Sequence, residues 1–177
     1  MSVFNNVRKN LKFQLNKQDF PIGIFGSFKY NRIIHLQNLR NYLNTNNYLA
    51  RLSEDLDSHF HDTDFEKPIG YDLKISRNLI DSSKIHIFVF FQERKYEHHI
   101  NESLAVELAY LLSQLENGSI TNPRVIIYTQ KGIERDVGGL LRDLILDKKY
   151  WRDYPFNKLD DIYEHAITTC NRFISSY

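Results

Sequence analysis

The sequence predicts one doubly wound α/β domain, a parallel sheet with helices on both faces, and three observations support this. From Phe20 onward, apolar runs of strand length alternate with longer segments of helical period, the pattern of repeated strand–helix–strand units. The run Ile85-His86-Ile87-Phe88-Val89-Phe90-Phe91 is apolar almost throughout, as a strand buried on both faces must be. The 177 residues, 42% of them hydrophobic, suffice for one core, whereas two would each be starved.

The elements follow in order. Pro21-Ile22-Gly23-Ile24-Phe25 reads as the first strand, ended by Gly26-Ser27. Ile33, Ile34, Leu36, Leu39, Tyr42 and Leu43 recur at helical spacing, and Tyr48 to Leu52 reads as a second strand followed by an acidic loop. Ile69 to Ser83 reads as a helix through Leu73, Ile75, Leu79 and Ile80, leading into the third, central strand, Ile85 to Phe91. Leu104, Leu108, Leu111, Leu112 and Leu115 give the next helix a leucine face, stopped by Asn117-Gly118 as a helix C-terminus should be. Arg124 to Thr129 supplies a fourth strand, and Glu134 to Leu146 a helix weakened by Gly138-Gly139. A fifth strand is expected near Lys149 to Tyr154. Pro155, Phe156 and Asn157 then start a final helix that buries Ile162, Ala166, Ile167, Phe173 and Ile174. Five strands, each followed by a helix, favour the flavodoxin-like sheet order 2-1-3-4-5 over the longer dinucleotide-binding order. The domain is expected over residues 20–177, and Arg8, Lys9, Lys12 and Lys17 make residues 1–19 a basic N-terminal arm or an added helix.

Composition excludes several function classes. The 23 Lys and Arg nearly balance the 22 Asp and Glu, so no overall field draws the molecule to nucleic acid or an anionic membrane, and a nucleic-acid partner is unsupported. No apolar run approaches the ~20 residues of a membrane span, and Met1 to Asn10 is too polar for a secretory signal; a cytoplasmic location is expected. Cys170 is the only cysteine, which excludes an internal disulfide and a multi-cysteine zinc site, and its place in the last helical pattern makes it a core residue. His59-Phe60-His61-Asp62 has ligand-type side chains but no clear third ligand, and its neighbours Glu54, Asp55, Asp57 and Glu66 read as a solvated acidic loop, so no metal is expected. Trp151, beside Tyr150, Tyr154 and Phe156, is expected to pack under the last helix. A phosphorelay receiver would need an Asp where the third strand ends in Phe91-Gln92, and no Gly-x-Ser-x-Gly elbow is present.

Right-handed crossovers put every strand-to-helix loop on one edge of the sheet, where ligands bind. The loops after the first, third and fourth strands are therefore expected to frame a pocket. After the first strand, Gly26 lets the backbone approach a ligand, Ser27 can donate to phosphate or ribose hydroxyls, and Phe28 follows in the same loop. The Gly-rich spacing of a P-loop or dinucleotide fingerprint is absent. Glu107 falls in the second turn of the leucine-faced helix; Ser103 is four residues before it and Tyr110 lies near the same side one turn on. A carboxylate there can meet a sugar at the carbon bearing a leaving base, either stabilising an oxocarbenium-like centre or forming a glycosyl ester.

The stretch Tyr71 to Ser83, the strand Ile85 to Phe91, and Asn101-Glu102-Ser103-Leu104-Ala105-Val106-Glu107-Leu108-Ala109-Tyr110 together resemble the nucleoside 2-deoxyribosyltransferase family over roughly Pro21 to Thr129. The resemblance implies that Glu107 is the nucleophile and Asp72 a substrate-contacting acid, with Gly26 and Ser27 in place of the family's first-strand loop. Ala109 stands where that signature has Gly, and Asn101, Ser103 and Ala105 where it has Asp and glycines. The same stretch is similar to TIR domains through Ser82-Ser83, Ile85 to Phe91 and Glu107-Leu108, with Ser103-Leu104 replacing their usual Trp-Cys. Enzymatic TIR domains use that Glu to break the nicotinamide–ribose bond of NAD. Both resemblances imply cleavage of a ribosyl N-glycosidic bond in NAD or a related nucleotide or nucleoside, taken as substrate with no resident cofactor. The TIR likeness further implies self-association and a prokaryotic defence role. The alternative is a non-catalytic TIR-like module that senses a nucleotide or binds protein.

Overall fold

The computed structural model describes residues 16–122, 124–133, 142, 143, 145 and 151–176. Five strands, β1 (Ile22–Gly26), β2 (Ala50–Arg51), β3 (Ile85–Phe90), β4 (Arg124–Gln130) and β5 (Trp151–Phe156), pair with four longer helices, α1 (Arg32–Thr45), α2 (Tyr71–Ser82), α3 (Glu102–Glu116) and α4 (Asp160–Ser175). The strands form one parallel sheet in the order β2-β1-β3-β4-β5, the expected doubly wound topology.

β3 occupies the centre because both its faces are apolar. It pairs with β1 from Ile22↔Ile85 to Gly26↔Val89 and with β4 from Ile85↔Arg124 to Phe90↔Thr129. Its alternation divides the core in two. Ile85, Ile87 and Val89 point to the layer of α1 and α4, with Leu36, Leu39 and Leu43 on one helix and Ile162, Ala166 and Cys170 on the other. Phe88 and Phe90 point to the layer of α2 and α3, with Leu79, Ile80, Leu104, Leu108 and Leu111. Each fully buried side chain of this kind contributes about 1.5–3 kcal/mol. His86 shares the second layer; its Nε2 meets the Ile80 carbonyl at 2.9 Å, and burial pushes its pKa down to about 4, so the ring is neutral at neutral pH.

Several boundaries differ from expectation for local reasons. β2 is reduced to two paired residues on the sheet edge. α2 begins at Tyr71, after Gly70 at φ 81, leaving Ile69 fully exposed; the left-handed turn that glycine permits sets the entry direction of the helix. Pro155 and Phe156 end β5 and do not start the last helix. β5 is an edge strand, where proline is tolerated. α4 instead begins at Asp160, where Asp161 accepts from the amides of Asn157 and Lys158 at 3.3 and 3.0 Å and favours the positive helix end. Trp151 packs in the α2/α3 layer with Val125 and Ile145, on the opposite face from the last helix. The helix expected over 134–146 lies outside the described residues except at 142, 143 and 145, as do residues 1–15 of the basic arm. Lys17–Asp19 form one 3-10 turn, and the Lys17 ammonium sits 4.3 Å from the Tyr48 ring centroid while donating to the Asn46 carbonyl at 3.3 Å. Among the described residues, no helix is long and apolar enough to cross a membrane.

Candidate active site

β1 and β3 are neighbours, yet their following helices pack on opposite faces of the sheet. The chain therefore parts at their carboxyl ends, which is where doubly wound sheets bind ligands. A cleft of about 260 Å³ opens there.

The β1 loop forms one wall. A Cβ on Gly26 would meet Leu36 Cδ2 at 2.7 Å, so glycine at this position makes room for the α1 leucine to pack against the strand. Ser27 is 1% exposed, and its Oγ accepts from the Lys29 amide at 3.2 Å. The Phe28 ring meets Phe60 edge to face, with centroids 6.4 Å apart. Both rings line the cleft.

The β2–α2 segment forms the second wall and supplies Ser53, Glu54, Asp57, Phe60 and Lys67. Its carboxylates are held tightly. Glu54 accepts from Arg40 at 2.9 Å and Gln37 at 3.0 Å. The Asp57 side chain is 4% exposed. It accepts from the Tyr71 hydroxyl at 2.7 Å and the His59 amide at 2.9 Å, and the Lys67 ammonium lies 3.3 Å away. Burial pushes the Asp57 carboxyl up, but these three partners outweigh it and hold it below the ordinary carboxylate range. Lys67 also donates to Asp72 at 2.8 Å; that bond, against the cost of desolvation, holds the ammonium above its usual pKa.

The floor comes from α2, through Asp72, Ile75 and Ser76, and from α3, through Ser103 and Glu107. The start of α3 is fixed by Asn101, whose buried side chain donates to the Phe91 carbonyl at 2.8 Å and accepts from the Phe91 amide at 3.3 Å. The preceding loop is clamped by the buried pair Arg32–Glu97 at 2.8 Å. Two turns into the helix, Glu107 is half-buried and accepts from the Ser76 hydroxyl at 2.6 Å. Desolvation pushes its carboxyl up to about 7, the Ser76 bond pulling the other way.

Gly26, Ser27, Phe28, Asp72, Ser103 and Glu107 thus border one cleft. Tyr110 does not join them: its hydroxyl donates to the Asp81 carboxylate at 3.3 Å and Arg77 lies over its ring at 4.9 Å. The cleft is also displaced from the expected position. The described residues after β4 take no part in its lining, and the β2–α2 segment replaces them, because that segment folds back over the sheet edge on the Asp57–Tyr71 and Lys67 contacts. The sequence reading missed Ser76, Asp57, Phe60 and Lys67. Ser76 had a usable signal, lying four residues after Asp72 and so on the same helix face. His59, from the histidine pair, stacks on Phe65 at 3.9 Å.

No protein-family model matches the sequence, and no curated protein matches it. Among solved structures, the chain is similar to the CMP N-glycosidase of Clostridium botulinum, with a TM-score of 0.54 and 10% identity, over 84% of this chain and 98% of that one. The likeness is one of fold. It runs through nearly the whole of the neighbour's chain.

Proposed function

We propose that this chain cleaves the N-glycosidic bond of a nucleoside or nucleotide, with Glu107 acting at the sugar carbon that bears the base. The observation that carries the proposal is the Glu107 carboxyl at the cleft floor, half-buried, bonded to Ser76 and pushed up to about 7. A group poised near neutrality is ionised in a large fraction of molecules and is desolvated enough to react. The ionised oxygen adds to the anomeric carbon, or faces the positive charge that develops there. The carbon–nitrogen bond breaks, its electron pair leaves with the base, and the base takes a proton from solvent. Water then attacks the sugar carbon and gives one proton to solvent, releasing the free sugar and regenerating the carboxylate.

The fold shared with a CMP N-glycosidase supports this reaction class. The 260 Å³ cleft lies just under the ~300–1,000 Å³ typical of ligand pockets, which favours a compact nucleoside or mononucleotide over a dinucleotide wholly enclosed. NAD, implied by the TIR-like resemblance together with a defence role, would leave its second nucleotide outside. The test is incubation with ribo- and deoxyribonucleosides, their 5′-monophosphates and NAD, followed by chromatography for free base. Release of base from one class supports the proposal; intact substrates throughout, even where binding is detected, favour the non-catalytic nucleotide-sensing alternative.

A further inference from the structure

The charge of the cleft bears on which substrates it takes. Among the described residues, four carboxylates line it, on Glu54, Asp57, Asp72 and Glu107, against the two ammonium groups of Lys29 and Lys67, and no arginine does. Arg40 pairs with Glu54 at 2.9 Å and shares its charge with Asp55 at 2.5 Å. Lys67 is committed between Asp72 at 2.8 Å and Asp57 at 3.3 Å, and Asp57 is itself fixed by Tyr71 and the His59 amide. Lys29 gives a donor to the His99 carbonyl at 3.1 Å. A phosphate monoester, carrying about −1.5 to −2 charges at neutral pH, seated at Lys67 would displace Asp57 or Asp72 and then lie beside the freed carboxylate. Sugar hydroxyls face the opposite situation, since carboxylates accept their hydrogen bonds. The rings of Phe28 and Phe60 offer an apolar seat for a base.

Resting on the N-glycosidase reading above, we propose that the cleft selects nucleosides without a 5′-phosphate, the Asp57–Lys67–Asp72 chain being the specificity device. This separates the chain from its structural neighbour, whose substrate is a nucleoside monophosphate.

The test is equilibrium binding by calorimetry to Glu107→Gln, with a panel of ribo- and deoxyribonucleosides and their 5′-monophosphates as probes. This variant removes one carboxylate and so biases the comparison against the proposal. The expected result is that at least one nucleoside binds about tenfold or more tightly than its own monophosphate, since like-charge juxtaposition is costly. The ratio should narrow at high salt, which screens the repulsion, and in Asp72→Asn, which frees half of Lys67's pairing. Asp72 is exposed, so that variant keeps its packing. A monophosphate bound as tightly as its nucleoside, no binding by any nucleoside, or a ratio unchanged in Asp72→Asn would overturn the proposal. Preferential nucleoside binding with no base released by the wild-type protein would leave the selectivity standing and sink the cleavage reading instead.

Discussion

The Ser76 hydroxyl and Glu107 Oε1 lie 2.6 Å apart, joining α2 to α3 at the floor of the cleft. The bond stabilises the ionised form of the carboxylate against the desolvation that opposes it. Removing the hydroxyl in Ser76→Ala should therefore raise the Glu107 pKa above its value of about 7. The activity limb that rises as Glu107 ionises should move to higher pH. At about pH 7 kcat/KM should fall severalfold and recover toward wild type near pH 9, because the ionised fraction is restored there. A pH–rate profile checks this; a uniform loss at every pH would contradict it.

The same carboxyl links stability to pH. Folding raises its pKa from an ordinary 4.5 to about 7, so the native state holds the proton more tightly than the unfolded chain. The stability this supplies is full below about pH 4.5 and is lost as pH climbs through about 7. Glu107→Gln does not titrate. Its stability relative to wild type should grow by about 3–4 kcal/mol between roughly pH 4 and pH 9, since each tenfold change in proton affinity is about 1.4 kcal/mol. Urea unfolding of both proteins at the two pH values measures the difference.

The edge-to-face pair Phe28–Phe60 is expected to seat the base. Phe60→Ala should raise KM for the best substrate about tenfold and change kcat little, in line with the ~1–3 kcal/mol of an aromatic–base contact. Steady-state kinetics separate the two constants, and an unchanged KM would remove Phe60 from the binding surface.

Arg32 and Glu97 form the buried pair that holds the loop ahead of α3. Burial disfavours the Glu97 carboxylate, but Arg32 and the Arg94 amide outweigh it and keep its pKa low. Breaking the pair in Glu97→Ala strands a buried guanidinium and should cost about 3–5 kcal/mol of stability, whereas the double variant Arg32→Met/Glu97→Leu should cost clearly less. Denaturant midpoints of the three proteins decide it.

The sheet was legible because its signals were local. The all-apolar β3 and the leucine face of α3 each announce their burial within a single element, and the alternation between such elements yields the topology. β2 and β5 were harder. Edge strands carry less apolar sequence, and Pro155 reads as a helix start although it closes β5. In the cleft, Glu107 was legible from its turn of α3, and the β1 loop from its place at the sheet edge. The second wall was not. The acidic segment around Asp57 reads as solvated because nothing in its composition reveals that Tyr71 and Lys67 will bury and neutralise Asp57 from residues fourteen and ten positions away. Helical spacing places Tyr110 near Glu107, whereas Arg77 and Asp81 hold it against α2.

The proposed reaction turns on Glu107 acting at the glycosidic carbon. Its most direct test is the rate of free-base release by wild type and by Glu107→Gln on the best nucleoside, with both proteins shown to be folded by circular dichroism. Wild type should release base measurably, and the variant should lose on the order of a thousandfold or more of that rate, as for removal of a reacting group. Release that persists undiminished in Glu107→Gln would contradict it.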